Sequence, residues 1–231
     1  MVVILKTEGL SKKYFNKVAL KNVDITLESG KILGLLGPNG SGKTTFLKIA
    51  AGILRPTSGE ILIDNNIPGV YTKGIVSYLP DKDYFYKWMK IKDSFNFFND
   101  MYNDFDLKKA REILDFMKLN EEDKITSLSK GMKEKLSLTL VFARRSKLYI
   151  LDEPLGGVDP SARQKILDTI ISSYNEDSSM IITTHLVNDI ERVFDDVAFI
   201  SDGEIILSGN AEELRSQRGK SIDELFMELY D

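Results

Sequence analysis

Gly37-Pro38-Asn39-Gly40-Ser41-Gly42-Lys43-Thr44 stands between the apolar run Ile32 to Leu36 and the helix-like Thr45 to Ala51, and its reading decides the fold. A strand, a glycine-rich turn and a helix start in that order build a phosphate cradle. Glycines at 37, 40 and 42 let the backbone take positive φ, turn its amides inward and admit a phosphate where a Cβ would block it. Lys43 then reaches the β- and γ-phosphates. The Thr44 hydroxyl is placed to ligate the Mg²⁺ that such phosphates carry, because Mg²⁺ takes hard oxygen ligands and keeps several waters. With Thr45 opening the helix, residues 37 to 45 form the expected binding set for a nucleoside triphosphate.

A second signal is Leu148-Tyr149-Ile150-Leu151-Asp152-Glu153-Pro154, an apolar strand that ends in two adjacent carboxylates. Successive residues at a strand end point to different sides, so Asp152 can hold the Mg²⁺ shell while Glu153 faces the water that attacks the γ-phosphate. Alone, an Asp-Glu-Pro after a strand reads as an ordinary turn. Downstream of a phosphate loop it reads as a metal ligand and a general base.

Composition bounds the rest. The 231 residues suffice for one large α/β domain with a smaller insert. A net charge of -4 and a pI near 5.3 argue against nucleic-acid binding, which relies on clustered Lys and Arg. The chain has no cysteine, which excludes disulfides and thiolate metal sites and suits a reducing interior. Met1 to Lys6 has no basic lead-in or cleavage site, and nowhere do eighteen apolar residues run uninterrupted. A soluble protein is expected, working at a membrane only through a partner.

Along the chain, strands are expected at Val2 to Thr7 and Val23 to Glu28 as an antiparallel layer, then at Glu60 to Ile63 and Gly74 to Leu79. From Tyr84 to Phe105 the texture changes, with nine of the 22 aromatic residues, and Phe95, Phe98, Tyr102 and Phe105 fall at helical spacing. Helical patterns continue at Leu107 to Leu119 and Gly131 to Arg144. Strand and helix then alternate through Lys147 to Leu151, Ser161 to Ser173, Ser179 to Thr183, Val187 to Phe194 and Val197 to Ser201, which reads as parallel βαβ units. Asp202-Gly203 signals a two-residue hairpin leading to Glu204 to Leu207, and Ser221 with Glu224 forms a capping box for a helix to Tyr230. The fold class is α/β: a phosphate-loop NTPase core (1-81 and 146-231) with a mixed, mostly parallel sheet, an N-terminal antiparallel layer and an inserted helical subdomain (82-145).

These motifs in this order resemble the ATP-binding subunit of ATP-binding-cassette (ABC) transporters over nearly the whole chain. Leu128-Ser129-Lys130-Gly131-Met132 sits where that family has its signature motif, Gly156-Gly157-Val158-Asp159 resembles the loop after the catalytic glutamate, and His185 follows a strand as the family's switch histidine does. Tyr14 resembles the aromatic that stacks on adenine, although its neighbour Phe15 is an alternative. The resemblance implies that Ser129 and the Gly131 amide meet the γ-phosphate of a nucleotide held by another copy, so that two ATP molecules are sandwiched in a homodimer or a paired ATPase dimer. It implies that His185, the only histidine, bonds the γ-phosphate and steadies the attacking water beside Glu153.

Three positions depart from the family pattern. Lys130 replaces the signature's first glycine, Met132 its terminal glutamine, and Asp81 stands where a glutamine touches Mg²⁺. Asp81 keeps an oxygen ligand with a shorter, charged reach, or serves as a turn residue after Pro80. The aromatics Tyr84, Phe85, Tyr86 and Trp88 are suited to line a groove for a helix of a membrane permease, while Phe95, Phe98, Tyr102 and Phe105 fill a core. The expectation is an ATPase subunit powering a separate permease, of the bacterial exporter type that resembles antibiotic-peptide resistance systems, located in the cytoplasm at the inner face of the cell membrane. A nucleotide-gated clamp that does not transport is the alternative.

Overall fold

The computed structural model describes residues 2–81, 84–156, 160–173 and 177–230. The chain opens with β1 (Val3–Tyr14), β2 (Lys17–Val23) and β3 (Thr26–Glu28), enters the central sheet at β4 (Ile32–Leu36), turns into α1 (Lys43–Ala50) and returns at β5 (Ser58–Ile63). A short α2 (Val70–Ile75) feeds β6 (Val76–Leu79), and three helices follow: α3 (Ile91–Met101), α4 (Leu107–Phe116) and α5 (Lys130–Phe142). The second half runs β7 (Leu148–Asp152), α6 (Pro160–Ser173), β8 (Ser179–Thr184), α7 (Val187–Ile190), β9 (Asp196–Ser201), β10 (Glu204–Asn210), α8 (Ala211–Arg218) and α9 (Ile222–Tyr230).

Six strands form the central sheet in the order β10-β9-β4-β8-β7-β6, with all pairs parallel except the β9–β10 hairpin. Every residue of β4, β7 and β8 is buried, as a parallel sheet covered on both faces requires. Alternation assigns the faces: Leu33, Leu35, Leu148 and Ile150 pack with Phe46 and Leu47 of α1, while Ile32, Leu36, Tyr149 and Leu151 pack with Leu140 and Phe142 of α5. The sheet's parallel strands end together at one edge, where the phosphate loop and the Asp152-Glu153 pair emerge.

Several elements differ from expectation. β1 is much longer than Val2 to Thr7 and pairs with three strands, including β5, which joins the antiparallel layer rather than the central sheet. The strand placed at Val23 to Glu28 is the end of β2 plus β3. Gly74 and Ile75 belong to α2, because Thr72 is the buried residue there and its hydroxyl accepts from the Gly69 amide at 2.8 Å. The patterns ending at Leu119 and Arg144 stop as helices at Phe116 and Phe142, and Val187 to Phe194 divides into α7 and a 3₁₀ turn, Glu191–Val193. Helix α8 lay in no sequence expectation. The Asp202-Gly203 hairpin and the Ser221/Glu224 capping box stand as read: Ser201 pairs with Glu204, and Ser221 and Glu224 exchange backbone-to-side-chain bonds of 2.8 and 3.1 Å.

Candidate nucleotide site

The phosphate loop is shaped by its glycines for two different reasons. Gly40 and Gly42 carry φ of 85° and 116°, the left-handed region that only glycine enters without strain. Gly37 has no positive φ, contrary to the reading above. A Cβ there would strike the Ile200 carbonyl of β9, so its requirement is close packing rather than a turn. With Gly42 as N-cap, α1 directs its N-terminal amides and the positive end of its dipole at the cleft.

Lys43 is 6% exposed and folds back over the loop, its Nζ donating to the Gly37 carbonyl at 2.6 Å and the Pro38 carbonyl at 3.0 Å. Burial pushes its pKa down, and the nearby Glu153 and Asp152 carboxylates work against that. Its Nζ lies 3.9 Å from Glu153 Oε1, so a phosphate arriving between them would exchange these internal contacts for its own.

Asp152 ends β7 and is almost fully buried. Its Oδ1 accepts from Thr44 Oγ1 at 3.2 Å and from Thr183 Oγ1 at 2.9 Å, whereas its Oδ2 is buried without a hydrogen-bond partner. Burial raises its pKa, with the two threonine bonds pulling the other way. A buried carboxylate oxygen with no donor beside a threonine hydroxyl is a half-built site for a hard cation. Among the described residues no cluster of three or more His, Cys, Asp or Glu forms, so a Mg²⁺ here would take its remaining ligands from water and phosphate, as Mg²⁺ does in triphosphate sites. The residues fit the ion. The Asp81 carboxyl lies on the same cleft wall, exposed.

Glu153 follows with φ of 53°, in the left-handed region, and its side chain meets His185 rather than the two threonines that hold Asp152. Its Oε2 is 2.8 Å from His185 Nδ1 and accepts from the His185 backbone N–H at 3.3 Å, while Oε1 is buried with no hydrogen-bond partner. The Glu153 amide in turn donates to Thr183 Oγ1 at 3.1 Å. Thr183 thus holds both carboxylate residues in register, and sequence reasoning missed it. The available signal was a pair of threonines closing the apolar strand Met180-Ile181-Ile182-Thr183-Thr184.

Lys43, Thr44, Asp81, Glu153 and His185 line one cleft of about 610 Å³, which also takes in Tyr14, Asn39, Gly40, Gly42, Thr45 and Gly156, while Asp152 lines an adjoining cavity of about 280 Å³ that shares Asp81, Lys130, Glu153 and Gly156 with it. Tyr14 stands in its wall with Lys12 Nζ 5.3 Å from the ring, whereas Phe15 sits in the β1–β2 turn, 98% exposed. Lys17 and Lys130 join the wall although sequence reasoning gave neither a role there. Pro38 serves through its carbonyl, and the Ser41 hydroxyl is buried without a partner. Ser129 and Gly131 do not line this cleft. Ser129 caps α5, its Oγ accepting from the Met132 amide at 3.3 Å. Of Gly156-Gly157-Val158-Asp159, only Gly156 falls within the described residues.

A separate groove of about 510 Å³ opens beside α1, walled by Tyr84, Phe97, Phe98, Met101 and Tyr102. Tyr86 and Trp88 lie outside it, stacked on one another at 6.1 Å, and Phe85 packs against the core. The division made from sequence is therefore partly reversed: Phe98 and Tyr102 face both core and groove. Phe95 and Phe105 are buried, as expected. Among the described residues no helix is long and apolar enough to cross a membrane.

The ABC transporter family matches residues 20–156, more than half of the chain. The ABC transporter ATP-binding protein YtrB of Bacillus subtilis (strain 168) is 35% identical over 219 residues, 93% of this chain and 74% of that protein. The lantibiotic transport ATP-binding protein SrtF of Streptococcus pyogenes is 31% identical, over 91% of this chain and 95% of its own length. A solved ATP-binding subunit of an ABC transporter superposes with a TM-score of 0.88 at 26% identity, covering 98% of this chain and 99% of that one.

Proposed function

The chain belongs to the ABC transporter family of ATP-binding proteins and is an ATPase, and from that premise we propose that it is the motor of a separate membrane permease, closing as a dimer around two ATP·Mg²⁺. Lys43 and the loop amides hold the phosphates, Thr44, Asp152 and Asp81 serve the Mg²⁺, and Tyr14 stacks on the adenine. The ion screens phosphate charge and orients the γ-phosphate when bound. Glu153 accepts the proton of the attacking water, and His185, hydrogen-bonded to it, fixes that carboxylate and the water toward the γ-phosphate.

The observation that carries this reading is the meeting in one cleft of a lysine and a glutamate-histidine pair, with a metal-ready carboxylate, Asp152, hydrogen-bonded to the Thr44 hydroxyl in that cleft's wall. Ser129 and Gly131 lie off that cleft, at the exposed start of α5, which suits contact with the nucleotide of a second copy. The helical segment 82–145 is the subdomain that carries this signature, and the groove beside it is the seat for a helix of the permease. The chain then works in the cytoplasm at the inner face of the membrane. Export is the favoured direction, on the strength of the lantibiotic transport relative.

Lys43→Ala and Glu153→Gln are expected to abolish ATP turnover, and the wild-type protein to co-purify with membranes that contain its permease. Undiminished turnover in either variant contradicts the assigned roles. A wild-type protein that never associates with membranes contradicts the motor role.

A further inference from the structure

Two buried oxygens without hydrogen-bond partners lie on the same face of the central sheet: Asp152 Oδ2 and the hydroxyl of Tyr78. Tyr78 on β6 is registered with Ile150 on β7, and Asp152 lies two residues beyond Ile150, so their side chains project to one side on adjacent strands. The diagonal separation is within reach of a long aromatic side chain. Tyr78 and Ile150 belong to the same core cluster, beneath α1.

Helix α1 packs against that face. Its first turn supplies Thr44 to Asp152, and its far half and C-cap supply Lys48 and Ala51 to the apolar groove, where Tyr78 is also a wall. Tyr78 therefore runs under α1 with its ring at the groove and its hydroxyl toward the metal carboxylate. A phenol is protonated at neutral pH, so the Tyr78 hydroxyl is a donor.

We propose that Tyr78 is a positioning residue shared by two sites: its hydroxyl steadies the free oxygen of Asp152 for Mg²⁺, and its ring forms the groove wall against which the permease presses. The second half of this inference rests on the groove being the permease seat. Because the phenol is rigid, ring and hydroxyl move as one body. A segment that enters the groove and shifts the ring shifts the donor at Asp152, and a cation drawn to Asp152 shifts the groove wall. The residue thus joins the docking surface to the metal site without passing through Asp81.

The test uses the isolated full-length subunit and a fluorescent ADP. Tyr78→Phe keeps the ring and removes only the hydroxyl, so the fold is retained. Binding of the nucleotide in EDTA is expected to be unchanged, while the Mg²⁺ concentration that gives half of the metal-dependent gain rises roughly ten-fold, the usual cost of losing a partner of a metal-ligating carboxylate. The chain has no cysteine, so Met101→Cys in the groove wall accepts a single environment-sensitive dye. Adding Mg²⁺ with ADP is expected to change the dye emission in the Tyr78 background and to leave it unchanged in Tyr78→Phe. A wild-type Mg²⁺ midpoint in Tyr78→Phe, or a dye response that is equal in the two backgrounds or absent from both, overturns the proposal. Because no permease is present, failure of permease docking leaves these readouts as they are and is scored by membrane co-purification instead.

Discussion

Replacing Arg144 with methionine should destabilise the protein by about 3 to 5 kcal/mol, the range for breaking a buried charge network. Arg144 is 2% exposed just past the C-cap of α5, where its guanidinium binds the Val76 carbonyl at 2.6 Å and the Gly74 carbonyl at 2.8 Å. The same group makes a two-pronged pair with Asp104 at 3.0 and 3.1 Å and stacks 3.8 Å from the Tyr102 ring centroid. Each carbonyl stripped of its donor costs about 1–3 kcal/mol, and the stacked cation adds about 1–2. Offsetting these, methionine escapes the desolvation of a guanidinium, and Asp104, 22% exposed, recovers some hydration. The net corresponds to a fall in melting temperature of roughly 10 °C for a domain of this size. Urea unfolding followed by far-UV circular dichroism measures the change. Arg144→Lys should fall between wild type and Arg144→Met, since an ammonium cannot form the planar fork. A loss below about 1 kcal/mol in Arg144→Met would refute the reasoning, because buried carbonyls and a charge pair would then have gone unpaired at no cost.

Three further perturbations follow from the site and the C-terminal helix. His185→Ala should lower ATP turnover about 100-fold in a phosphate-release assay while nucleotide binding is retained, because the side chain is half exposed and acts through Glu153; unchanged turnover contradicts that role. Burial holds the Asp152 carboxyl above its ordinary pKa, so the folded metal-free protein binds that proton more tightly than the unfolded chain, and this group's contribution falls as pH rises through the interval between the two pKa values. Asp152→Asn should therefore raise the neutral-pH melting temperature of the metal-free protein and cancel the further rise produced by Mg²⁺ with ADP; a lower melting temperature contradicts the account. Ser221→Ala should cost about 1 kcal/mol by opening the capping box of α9, and an unchanged urea midpoint contradicts it.

The places of the 37–44 loop and of Asp152-Glu153 in the fold were legible because both hang on strands whose every residue is buried, so the apolar runs were unbroken and their ends sharp. The Asp202-Gly203 hairpin was legible because its turn residues are the ones that tolerate φ of 46° and 82°. The β1–β2 hairpin was hidden because its turn uses Phe15 at φ 48° and Asn16, with no glycine to mark it, and β2 buries only Leu20 and Val23 fully. Helix α8 was hidden for a related reason: only Ala211 and Leu214 are buried, leaving little periodicity between its Asn210 and Gly219 caps. Thr183 and Tyr78 could not be linked to Asp152 from sequence, because the link depends on which strands neighbour β7. That order, with β4 beside β8 and β8 beside β7, is set by contacts far apart in the chain.

The solution mass of Glu153→Gln with and without ATP·Mg²⁺ tests the central claim most directly. Removing the proposed base should trap the unhydrolysed nucleotide between two copies, so the protein is predicted to pass from monomer to dimer when ATP·Mg²⁺ is added and to return when it is withdrawn. A protein that binds ATP·Mg²⁺ and stays monomeric at every concentration would contradict the closing of Ser129 and Gly131 on a second copy's nucleotide, and with it the motor as proposed.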